Sequence, residues 1–110
     1  MFQDTISKIE EKIQGSPAVK EENRGELLAL LGTLKSEIDE LSKTHREQAR
    51  SITGFAELSA HEATREAKNP ALLNLSVKGL GSSVAGFEET HPKLVDSVNR
   101  ICAALANMGI

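Results

Sequence analysis

Apolar residues recur along this chain at spacings of three and four, the period of one face of an α-helix. Phe2, Ile6, Ile9 and Ile13 form the first stripe, with Lys8, Glu10, Glu11 and Lys12 around it. Leu27, Leu31, Leu34, Ile38 and Leu41 form the second, and Leu28 and Leu30 widen its apolar face beyond a two-stranded seam. That rhythm continues through His45, Gln48, Ile52 and Phe55 before fading into Ser59 and Glu62. Leu73, Val77, Leu80, Val84 and Phe87 make a third stripe, with Leu72 and Leu75 adding apolar surface on a second side. Leu94, Val98, Ile101 and Leu105 make a fourth, flanked by Val95, Cys102 and Met108.

Prolines punctuate these stripes at Ser16-Pro17, Asn69-Pro70 and His91-Pro92. Each sits where a helix can begin, because the N–H that proline lacks has no partner in a first turn. Ser16 and Asn69 are also good N-caps, with side-chain oxygens that accept an orphan backbone N–H. The spacing predicts helices over about residues 3–14, 18–68, 70–89 and 92–107. The second is read as one long coiled-coil-like helix, since no proline interrupts it; a break near Lys43-Thr44-His45 is the alternative. Gly79-Leu80-Gly81 is a candidate kink in the third. At the end, Gly109 suits a left-handed cap that folds Ile110 back on the last turn, against a competing reading in which a partner captures the projecting tail. The fold class is therefore all-α: a helical hairpin or bundle with one long coiled-coil-like helix and a charge-poor C-terminal pair, in a single domain spanning 1–110.

Aromatic residues make up only 3% of the chain, so Leu, Ile, Val and Ala must build the core. The formal net charge is −3, and bases are mixed with acids throughout. No basic stripe is present to neutralise phosphates, which argues against nucleic acid, and no polybasic segment or long apolar run argues for a membrane. Met1-Phe2-Gln3-Asp4 lacks the basic flank and apolar centre of a signal peptide. With Cys102 the only cysteine, a reducing, cytoplasmic setting is expected. Beyond residue 69 the charged residues are only Lys78, Glu88, Glu89, Lys93, Asp96 and Arg100. So charge-poor a pair needs cover from the first two helices and from a second chain. This predicts a homo-oligomer, dimer or larger, with another protein as a further candidate partner. Leu27, Leu31, Leu34, Ile38, Leu41, Leu80, Val84, Phe87, Ile101 and Leu105 are its core and oligomer candidates.

Candidate chemistry is sparse. Glu57 and His61 share a helix face at i, i+4, with Glu62 beside them, but the di-metal bundle step is Glu-x-x-His and no second pair occurs. A solvated surface with local Glu62–Arg65 pairing is the simpler reading. His45 falls on the second stripe, where a polar residue either fixes register or marks the stripe's end. His91 precedes Pro92 and reads as a turn residue without a nucleophile partner. Cys102 lies in an apolar helix and reads as a small hydrophobe. Gly79-Leu80-Gly81-Ser82-Ser83 lacks the strand and lysine of a phosphate loop, so its small residues suggest close helix approach. No catalytic, cofactor-binding or metal residue is assigned and no cofactor is expected. The expected function is that of a non-enzymatic, self-associating interaction or scaffold module; a small-molecule or metal-binding bundle is the alternative.

Phe87-Glu88-Glu89-Thr90-His91-Pro92, Arg100-Ile101 and the ending Ala103-Ala104-Leu105-Ala106-Asn107-Met108-Gly109-Ile110 resemble a family of short bacterial proteins with no assigned function. Its members end in a His-Pro step, an amphipathic helix and an Ala-Leu-Ala-x-Met-Gly-Ile-like tail. Glu21-Glu22-Asn23-Arg24 through Leu41 is similar to the family's N-terminal helix pair, while residues 44–70 look longer than its usual connector. The resemblance implies a helical bacterial protein and carries over no functional residue.

Overall fold

The computed structural model describes residues 2–108, which form five helices: α1 (Phe2–Gly15), α2 (Glu21–Ser42), α3 (Arg46–Thr64), α4 (Pro70–Ser83) and α5 (Pro92–Met108). Among the described residues there is no strand. α1 buries Ile6, Ile9 and Ile13, the residues of its predicted stripe. Ser16 does not cap a helix at Pro17. Its Oγ accepts from the Ala18 N–H at 3.2 Å, and its carbonyl accepts from Arg24 Nη2 at 3.1 Å. The same Arg24 nitrogen bonds the Val19 carbonyl at 2.8 Å. With Val19 buried, these bonds hold residues 17–20 as a turn, and α2 starts at Glu21.

The expected long helix is two helices. α2 stops at Ser42, and His45 leaves the helical region at φ −133° and ψ 63°. The chain reverses there with little loss of backbone bonding. The His45 N–H reaches the Leu41 carbonyl at 2.7 Å, and the His45 carbonyl already accepts from Ala49 at 2.9 Å. A straight continuation would have carried Ala49, Ile52 and Ala56 away from the core; folding back buries all three against α1 and α2.

α4 begins as its sequence implies, with Pro70 in the first turn and the Asn69 side chain accepting from the Leu72 N–H at 3.1 Å. It remains α-helical through Gly79-Leu80-Gly81. It ends at Ser83, six residues short of the predicted Glu89, because Gly86 adopts φ +96°, which residues with a Cβ avoid. That reversal still keeps Val84 and Phe87 inside, so the third stripe outlasts its helix. α5 buries Leu94, Val98, Ile101 and Leu105. The tail reading concerns Gly109 and Ile110, which lie outside the described residues.

α3 packs on α4, α2 on α5, and α1 on both α2 and α3, around one contiguous apolar cluster. All ten core and oligomer candidates, Leu27, Leu31, Leu34, Ile38, Leu41, Leu80, Val84, Phe87, Ile101 and Leu105, lie in that cluster. All ten are buried within the chain.

Candidate functional site

The inner side of α3 is built from small residues. Ala49, Thr53, Ala56, Ser59, Ala60 and Ala63 are buried there, with Ile52 the one large apolar side chain among them. Small residues let helices approach closely, and they leave little room for bulk. The large apolar residues of α3, Phe55 and Leu58, therefore point outward, 38% and 47% exposed. The predicted stripe had His45, Gln48 and Phe55 sharing a face with Ile52; of these four, only Ile52 is buried.

A five-residue connection, 65–69, returns the chain so that α4 lies antiparallel against α3. Leu72 and Leu75, on the outer side of α4, are 42% and 67% exposed. The Phe55 ring rests directly over Gly79: a Cβ at that glycine would collide with the ring's Cδ1 and Cε1. Gly79 is thus a point of close approach between α3 and α4. Phe55, Leu58, Leu72 and Leu75 are the exposed large apolar side chains among the described residues, and all four belong to this one helix pair. Beside them, Arg50, Ser51, Gly54, Phe55 and Leu58 line a shallow depression. Grouped exposed apolar residues of this kind mark interaction surfaces far more often than isolated ones do. The hydrophobic pattern marks the second-side position of Leu72 and Leu75 but does not single out Leu58. The signal for Leu58 is the run of Ala, Ser and Thr that fills the opposite side of α3.

The titratable candidates lie elsewhere. His45 and His91 are brought together at the end of the bundle where the α2–α3 and α4–α5 turns meet. Their ring centroids are 6.3 Å apart, and each stands edge-on to Phe87 at 5.4 Å. Each Nδ1 is hydrogen-bonded to the preceding threonine, Thr44 at 2.8 Å and Thr90 at 2.9 Å. The cluster joins two turns through aromatic edge contacts. Glu57 and His61 are exposed on α3, whereas Glu62 is buried and paired with Arg65 at 2.9 Å. Among the described residues no three His, Cys, Asp or Glu side chains converge as metal ligands. Burial pushes the Cys102 thiol up to about 11, and its Sγ lies 3.6 Å from the Val77 carbonyl. A raised thiol pKa disfavours the thiolate, the reactive form. No helix among the described residues is long and apolar enough to cross a membrane.

Residues 30–110 match the model of a family described as Domain of unknown function (DUF4404). The match takes in α3 and α4, and with them the exposed apolar face. No curated protein and no solved structure matches the chain.

Proposed function

The chain belongs to the DUF4404 family, of unknown function, and from its own geometry we propose that it is a non-enzymatic interaction module that self-associates through the outer face of α3 and α4. The observation that supports this reading is the confinement of every exposed large apolar side chain among the described residues to that face. Phe55, Leu58, Leu72 and Leu75 lose contact with water only if something packs on them, and each fully buried Leu or Phe contributes roughly 1.5–3 kcal/mol to association before ordering costs. The reading places the protein in a bacterial cytoplasm, supported by the resemblance of its tail and by its lone cysteine. It differs from the sequence expectation in its surface: the stripe from Leu27 to Leu41 builds the protomer, and the outer helix pair makes the contact.

Leu58→Glu tests the reading, because it places a charge among the exposed apolar side chains of α3. The parent is expected to elute with a mass above 11.9 kDa and the variant at 11.9 kDa with unchanged circular dichroism. Equal masses for the two proteins contradict it.

A further inference from the structure

The outer face of α3 carries a base, Arg50, four residues before Gly54 and an acid, Glu57, three residues after it. Arg50 lies about one turn before that glycine and Glu57 about one turn after it; Glu47 lies two turns before and His61 two turns after. All five residues are exposed. Arg50, Glu57 and Glu47 make no ion pair with another described residue, so these charges are not used within the chain. A Cβ at Gly54 would meet nothing within 4 Å, and Ser51, one turn away, is also small and exposed. Leu58 projects beside this low ground, whose walls are Arg50 and Phe55.

We propose that two copies of this chain pair through α3, antiparallel, about a two-fold axis near Gly54, with Arg50 of each copy one residue out of register with Glu57 of the other and within reach of it. This rests on the self-association proposed above and specifies its geometry. A two-fold of this kind maps a position before Gly54 onto one after it, so every contact occurs twice. The large Leu58 of each copy then lies opposite Arg50 of the other, beside the small Ser51 and Gly54 that floor the depression. Glu47 meets His61 at the two ends, adding attraction when His61 is protonated. The same axis lays α4 of one copy over α4 of the other, which carries the flank of Leu72 and Leu75 into the contact. A parallel pairing would put Arg50 against Arg50 and Glu57 against Glu57, and like charges juxtaposed across an interface are strongly disfavoured. The charge pattern thus selects a second copy in one orientation.

The test is a charge swap read by sedimentation equilibrium on the full chain. R50E and E57R each create two like-charge contacts per dimer and are expected to raise the dimer dissociation constant about tenfold or more. The double variant R50E/E57R restores opposite charges and is expected to return to within about threefold of the parent. Both positions are exposed on a helix, so circular dichroism should be unchanged in all three. G54L, which fills the close-approach point without touching the protomer's interior, should weaken the dimer to a similar extent. A parent that dimerises while the single swaps leave its affinity unchanged, or a double variant no tighter than the singles, overturns this geometry and leaves self-association standing. A monomeric parent overturns both.

Discussion

In α2, Leu27, Leu31, Leu34, Ile38 and Leu41 are all at most 1% exposed, whereas α3, packed beside it, keeps Ala49, Thr53, Ala56, Ser59, Ala60 and Ala63 inside and holds Phe55 and Leu58 out. The two helices serve one core with opposite allocations of bulk. α2 supplies volume, and α3 supplies a thin wall against which α1, α2 and α4 can all close. A wall of small residues has a consequence on its far side. Beyond Ile52, the large apolar residues of α3, Phe55 and Leu58, face outward, and they stay wet unless a further layer is added. The same helix therefore closes the protomer on one side and holds exposed apolar side chains on the other. Even the small inner side has a cost: the Ser59 hydroxyl is fully buried without a hydrogen-bond partner among the described residues.

The largest effect should come from the side of the comparison that supplies volume. Ile38→Ala and Ile101→Ala each remove a side chain at most 1% exposed and leave a cavity, and each is expected to cost about 2–5 kcal/mol by chemical denaturation. A loss under about 1 kcal/mol would mean that the core repacks and that bulk in α2 and α5 is not what holds the bundle. Gly79→Ala comes next. Its new Cβ would displace the Phe55 ring, so a loss of about 1–3 kcal/mol is expected despite alanine's better helix propensity. Gly54→Ala provides the contrast on α3. Nothing lies near its Cβ, so the monomer should gain up to about 1 kcal/mol. If the two glycine variants shift stability in the same direction, the distinction between a covered Gly79 and an open Gly54 is wrong. Smallest of all should be Leu58→Ala. Measured at dilution, where the protein is monomeric, it should change stability by no more than about 0.5 kcal/mol, since the side chain is 47% exposed.

The same contrast sets how much of the fold is legible in the sequence. α2 is readable because large aliphatic residues at helical spacing can all leave water together only as one face of a helix. In α3 two phases compete for Ile52. One runs through His45, Gln48 and Phe55, the other through Ala49, Ala56, Ala60 and Ala63. Bulk favours the first, yet the structure takes the second, because closeness between helices rewards small residues as much as burial rewards large ones. The break at Lys43–His45 carries neither proline nor glycine. It is set by burial of α3 against α1 and α2 and by the packing of the His45 ring on Phe87, which no local pattern announces. The early end of α4 does have a local sign in Gly86, but a stripe continuing through Val84 and Phe87 outweighs it. At Asn69-Pro70, by contrast, two adjacent residues suffice: one caps, the other opens the first turn, and the helix starts where they stand.

The claim that an unfilled outer face of α3 and α4 exists to meet its own copy is tested most directly by the solution mass of the unmodified chain over a dilution series, measured by light scattering. The account predicts a mass that approaches twice 11.9 kDa at the higher concentrations and falls toward 11.9 kDa on dilution. A mass of 11.9 kDa at every concentration, up to hundreds of micromolar, would contradict it.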